Sequence, residues 1–251
     1  MKTSIKKYGW TPDRPDQRDH AFRLAEPIPL PPAVDLRAGM PPVYSQGELG
    51  SCTANAIAAA FDFERQRQGK PFITPSRLFI YFNEREMEGT VDSDSGAMIR
   101  DGIKSVADDG VCAETDWPYD IAEYLFQPPV SCYGNALKNQ ALIYQRIAPD
   151  LTSMLQCLAS GFPFVFGFSV YESFESGAVA KTGIVPMPAS SEQQLGGHAV
   201  LAVGYDRDQR AFLVRNSWGE EWGIAGYFWL PFDYVASPDL ADDRWVINLV
   251  E

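Results

Sequence analysis

Histidine is scarce in this chain. There are two in 251 residues, His20 and His198. Cysteine is nearly as scarce: Cys52, Cys112, Cys132 and Cys157, with no C-x-x-C pair among them. That is a poor ligand set for a structural or catalytic metal, so no metal and no cofactor is expected. Basic charge is short as well. Lys and Arg number 21 against 33 Asp and Glu, and the net charge of −12 argues against nucleic acid and anionic membrane surfaces as partners. No apolar run approaches the roughly 20 residues of a membrane span. The opening "MKTSIKKYGWTPDRPDQRDH" has lysines but no apolar stretch behind them, so it does not read as a secretory signal. The cytoplasm is the expected compartment, with export by another route left open. Internal repeats are absent. A chain this long needs no disulfide staples, so reduced thiols are expected. Cys112 and Cys132 are the one pair to watch. Cys157, at helical spacing among apolar residues, reads as a small buried hydrophobe.

What remains is an ordinary globular composition with a strong internal order. Residues 1–32 are rich in proline and charge and read as an extended arm. Helical signals dominate from 33 to about 140. One helix runs from Cys52 to about Gln68 and stops before Gly69 and Pro71. A second opens at Thr74 and Pro75 and closes at Gly89. A third opens near Ser95 and closes at Gly110. From about 141 to 240 the pattern changes. After one helix near Leu151–Ser160, runs such as "GFPFVFGFSV", "HAVLAVGYD" and "AFLVRNSW" read as strands. Helices first and strands second predict an α+β protein of two lobes, and a cleft between lobes is a usual place for a site.

Cys52 stands where an alanine-rich helix begins. The positive end of a helix dipole favours thiolate there, and a nearby imidazolium would favour it further. His198, placed by two glycines at the start of a strand, is the better imidazole candidate; His20 lies in the arm. As a functionless strand-edge residue it would be equally unremarkable on its local sequence. Asn216, ending another strand, could orient the ring, and Trp218 could shield that bond from water.

Taken together these segments resemble the papain-like cysteine peptidases. His198 lies 146 residues beyond Cys52, within the spacing of about 130–150 residues expected for that family. Gln46 stands six residues before Cys52. "GGHAVLAVGYD", "VRNSWGEEWGIAGYFWL", "PAVDLRAGMPPVYSQG" and "WPYD" match further family segments in order, over about Pro32 to Val250. The resemblance implies a helical lobe and a β-barrel-like lobe flanking an active-site cleft, within one domain over 33–251 whose C-terminal segment crosses back. It implies Cys52 as nucleophile, His198 as acid and base, Asn216 orienting His198, Trp218 supporting that pair, and Gln46 in the oxyanion hole. Gly96, Met98, Gly167, Gly196, Gly197 and Ala199 would line the substrate cleft. The expected partner is a peptide or protein substrate. The alternatives are an aminopeptidase or acyl-transfer enzyme of narrow specificity, and an inactive binding module on the same fold.

Departures from the pattern carry expectations too. Leu49 replaces the family's first cysteine and Ser93 falls about where its partner would be, so the disulfide beside the nucleophile is missing. Thr53 replaces the aromatic after the nucleophile, which points to an altered cleft shape. Glu48 puts a carboxylate near the oxyanion hole. The arm is far shorter than the family's helical propeptide; it is expected either to pack along one lobe or to border the cleft.

Overall fold

Every residue of helix α1 (Cys52–Arg67) from Cys52 to Arg65 is buried. Its buried Thr53, Asn55, Asp62, Glu64 and Arg65 lie among apolar residues on every side, so α1 is the axis of the first half of the protein. The computed structural model describes residues 8–251; residues 1–7 of the expected arm lie outside the described residues. Helices α2 (Arg77–Glu88) and α3 (Ile99–Asp108) pack on α1. The start of α2 falls two residues later than its sequence suggests. Ser76 caps it by accepting the Phe79 N–H, while Thr74 takes a left-handed φ of 47°. Met98, with no side-chain cap, precedes α3, so Ser95 is not its cap either. No helix is long and apolar enough to cross a membrane among the described residues.

The second half contributes strands β2 (Ala141–Arg146), β3 (Phe164–Tyr171), β4 (Gln194–Asp206), β5 (Ala211–Arg215), β6 (Tyr227–Pro231) and β7 (Ala241–Val250). With β1 (Ala33–Asp35) they form one seven-stranded antiparallel sheet, ordered β2-β7-β3-β4-β5-β6, with β1 on β4. The barrel-like lobe expected from the resemblance is thus an open sheet: β2 and β6 are its edges. Helices α4 (Val130–Ala136), α5 (Leu151–Ala159), α6 (Gly177–Thr182) and α7 (Phe232–Ala236) complete the chain.

Two apolar cores result. One gathers α1, α2 and α3 against Val165, Leu201, Leu213 and Trp245 of the sheet. The other is aromatic, built from Phe164, Phe166, Phe168, Phe174, Phe212 and Phe228. Strand β4 serves both, because alternate side chains of its buried stretch face opposite sides of the sheet. That alternation sets Ala199 against the N-terminus of α1 and turns the His198 ring to the aromatic side, beside Phe168 and Trp218. The C-terminus returns to the helices, where Arg65 donates to the Glu251 carbonyl and Lys70 to that of Val250.

Candidate active site

The loop before α1 is held by hydrogen bonds in place of the missing disulfide. Asp94 accepts the Gly50 N–H at 3.0 Å and the Tyr81 hydroxyl. Leu49, buried, turns its carbonyl to the Gln46 side-chain amide at 2.9 Å. The Tyr119 hydroxyl, from the "WPYD" segment, donates to the Gln46 carbonyl and pairs with Ser51. These bonds fix the turn that delivers Cys52 to the end of α1. Glu48, by contrast, is exposed.

On the facing strand, the Ala199 N–H approaches the Cys52 sulfur at 3.4 Å. His198, one residue earlier and fully buried, holds Nε2 at 2.9 Å from the Asn216 Oδ1. Asn216 Oδ1 also accepts the Ser217 N–H at 2.8 Å, which fixes the amide's orientation. The Trp218 ring stacks on the imidazole at 5.0 Å between centroids, and Phe168 meets it edge-on from the strand below. Packing and hydrogen bonding thereby restrict the ring to one orientation. The Ser217 hydroxyl donates to Gln46 Oε1 at 2.6 Å. One loop, Asn216–Trp218, therefore positions both the imidazole and the glutamine amide.

The arm runs through this cleft. The Trp10 N–H donates to the Gly197 carbonyl at 3.0 Å, and the Gly9 carbonyl accepts from Ala97 at 2.7 Å. A Gly9 backbone amide faces the Cys52 sulfur. Four of the residues expected to line the cleft lie against the arm. Side chains at Gly96, Gly167, Gly196 or Gly197 would collide with Gly9, Trp10, Tyr8 and Trp10 respectively. Ala199 sits at the thiol instead, and the Met98 N–H is taken by Glu88.

The thiol's electrostatics reverse the expectation from its helix position. Cys52 is 0% exposed, and burial pushes its pKa up to about 12 against the opposing pull of the Ala199, Gly9 and Thr53 amides. Removing a charged sulfur from water costs more than three backbone dipoles return. With the arm in place, Cys52 is a neutral thiol. The four cysteines are free.

A model of the papain family cysteine proteases matches residues 30–237. The chain belongs to the papain family. A peptidase C1-like protein of Acanthamoeba polyphaga mimivirus is 45% identical over 99% of this chain and 81% of its own. The crystal structure of xylellain, a cysteine protease from Xylella fastidiosa, superimposes with a TM-score of 0.90 at 45% identity. That match covers 99% of this chain and 100% of xylellain. Bovine pro-cathepsin H is 26% identical over 89% of this chain, which spans 66% of its length. As a papain-family cysteine peptidase, the protein is a thiol-dependent hydrolase of peptide bonds.

Several residues around this papain-family cleft escape sequence reading. Ser217 sits inside the quoted "NSW" segment, but nothing local shows that its hydroxyl reaches Gln46, 171 residues away. Glu84 is fully buried beneath the nucleophile's turn. It accepts the Thr53 hydroxyl at 2.6 Å, and burial pushes its carboxyl well above the usual carboxylate range. Thr53 therefore replaces an aromatic with a hydrogen bond into α2.

Beyond the cleft, Asp13 anchors the arm. Its side chain is 0% exposed. It accepts from the Arg100 amide at 3.1 Å and the Trp245 indole at 2.8 Å, and its own N–H donates to Asp243. Arg146, paired with Asp243, Asp242 and Asp19, stands 3.8 Å from it; Arg100 pairs with Asp19, and Arg244 with Asp242. Burial, then the Asp243 charge, raises the Asp13 pKa to about 7, outweighing the donors and Arg100. A raised acid pKa means the docked arm binds the proton more tightly than the free arm. Docking is therefore firmest below the ordinary carboxylate pKa and weakens as pH rises through about 7. The ratio of peptide turnover in the full chain to that in Asp13→Asn is expected to rise severalfold from pH 5 to pH 8. Taking the ratio cancels the titration of the thiol itself. A ratio flat across that range would sink this account of the anchor.

Proposed function

We propose that the enzyme cleaves peptide bonds through a Cys52 thioester, and that residues 8–11 hold it latent until they leave the cleft. On arm departure Cys52 regains water and the helix N-terminus, and its proton passes to His198. The sulfur attacks the scissile carbonyl carbon, forming the S–C bond while the C=O electrons move onto oxygen. Gln46 and the Cys52 backbone amide receive that oxyanion. The C–N bond then breaks as His198 gives the proton to the leaving amine. Water, deprotonated by His198, hydrolyses the thioester and restores the thiol. Asn216 accepts from the ring throughout and keeps the proton-carrying nitrogen in place.

The observation that carries this reading is the 3.4 Å approach of the Ala199 amide to the Cys52 sulfur, which brings the thiol of one half to the strand bearing His198. An arm that is held and not cleaved fits the same reading: the Gly9 carbonyl is already engaged by the Ala97 N–H at 2.7 Å.

Labelling with a thiol-directed epoxide, mapped by mass spectrometry, tests the proposal. The full chain is expected to label slowly at Cys52. A chain whose arm is loosened by Trp10→Ala is expected to label there at least about tenfold faster than at Cys112 or Cys132, consistent with an activated thiolate in a preorganised site. Equal labelling of the three cysteines in the loosened chain would overturn it.

A further inference from the structure

Arg77 breaks a local rule. It is the first residue of α2, and a cation there faces the positive pole of the helix dipole. It is also buried, where an arginine is rarely found without partners. A residue set against both preferences marks a fixed task elsewhere in the structure. Its guanidinium divides its donors between two places. Nε and Nη2 donate to the Glu114 carboxylate at 3.1 and 2.6 Å. Nη1 is left for the turn that precedes the nucleophile. It donates to the Ser45 carbonyl at 3.4 Å and to Asn55 Oδ1 at 3.2 Å.

These contacts converge on the turn 45–51. Ser45 is the residue before Gln46. Glu114 Oε1 accepts the Tyr119 N–H at 3.1 Å, and the Tyr119 ring centroid lies 4.0 Å from the guanidinium carbon. The hydroxyl of that same tyrosine donates to the Gln46 carbonyl at 3.0 Å. Asn55 donates to the Ser51 carbonyl at 2.8 Å and so ties down the far end of the turn. We infer that Arg77 is a positioning residue for the oxyanion site: it holds the backbone on both sides of Gln46 and thereby aims the side-chain amide. A planar fork grips both oxygens of a carboxylate and still has a donor to spare. An ammonium is a point charge on a flexible stem and cannot span the same three partners. This inference rests on the peptidase reading above.

The test compares two rates in the full chain carrying Trp10→Ala, whose arm is loosened. One is kcat/KM for a single fluorogenic peptide. The other is alkylation of Cys52 by iodoacetamide, mapped by mass spectrometry. Alkylation displaces iodide at carbon and forms no oxyanion, so it reports the thiol and not Gln46. Both rates scale with the fraction of open cleft, so their ratio is independent of the arm. Arg77→Lys is expected to lower the ratio of turnover to alkylation roughly ten- to hundredfold. That is less than the roughly hundred- to thousandfold loss when an oxyanion donor is removed outright. Glu114→Gln, which loosens the fork and keeps Arg77, is expected to lower it in the same direction, and serves if the lysine variant folds poorly. In a Gln46→Ala background either substitution is expected to change the ratio by no more than about twofold, because a residue that acts through another is silent once that other is gone. A folding defect would lower turnover in that background as well. An unchanged ratio in both variants, or a loss that persists in full without the Gln46 side chain, overturns the inference and leaves the peptidase reading standing. No turnover by the Trp10→Ala chain, with Cys52 alkylated no faster than Cys112 or Cys132, overturns both.

Discussion

Gly9→Val in the full chain is expected to raise peptide turnover roughly ten- to hundredfold. Even a bare Cβ at Gly9 would lie 1.7 Å from the Gly50 carbonyl oxygen and 2.5 Å from its carbon. Both are backbone atoms of the loop that delivers Cys52, and that loop is pinned by Asp94. Neither side can move by an ångström without breaking the turn, so the arm must leave its seat. Overpacking of this kind typically costs about 1–3 kcal/mol, and each 1.4 kcal/mol is tenfold in population. The gain appears as a larger fraction of open cleft, so kcat/KM rises equally for every substrate. Gly9 belongs to no helix or strand, and Trp10 and Tyr8 beside it only cover the edges of the two cores, so the thermal midpoint is expected to fall by no more than a few degrees. The measurement is kcat/KM on one fluorogenic peptide for the wild-type and valine chains. Equal values would mean that the arm does not gate the cleft.

The arm also shows where sequence reading stops. Its proline and charge content marks it as extended. That "YGW" is the part that crosses the site depends on glycines at 96, 167, 196 and 197, which are separated by as many as 101 positions and meet only in the fold. The catalytic candidates were legible for the opposite reason. Cys52, His198 and Asn216 each carry a local mark, a helix start or a strand end, and their spacing and order are shared with the papain family. The α+β order was legible because periodicity changes from helical to alternating near residue 140. The state of the thiol was not. A helix N-terminus is written in the chain, but burial depends on what packs over it, and that is decided only in the fold. The caps of α2 and α3, Ser76 and Met98, lie two and three residues beyond Thr74 and Ser95, the starts that local chemistry favours. Hydrogen bonds between distant segments hold both out of helix: the Ser76 amide donates to the Cys112 carbonyl, and the Gly96 amide to the Tyr81 hydroxyl.

His198→Ala, made in the Gly9→Val chain so that the cleft is open, is expected to lower kcat by about 10³–10⁴. That is the upper part of what a positioned acid and base contributes, and the proposed route asks one ring to serve both half-reactions. The ring lies between Trp218 and Phe168 with 0% exposure, so its removal also leaves a cavity. Thermal unfolding must therefore accompany the kinetics, and a folded variant is expected with a midpoint lower by a few degrees. Asn216→Ala tests the arrangement more sharply. Asn216 does not reach the thiol's chemistry itself; it holds Nε2 at 2.9 Å. Its loss alone is expected to cost less than loss of the ring. In the double variant it is expected to cost nothing further, because a residue that acts through another is silent once that other is gone. The cycle separates positioning from mere stability: a structural role would add its own penalty in the absence of His198. Additive losses would place Asn216 outside the imidazole's service. Unchanged kcat in His198→Ala would remove the imidazole from the reaction altogether.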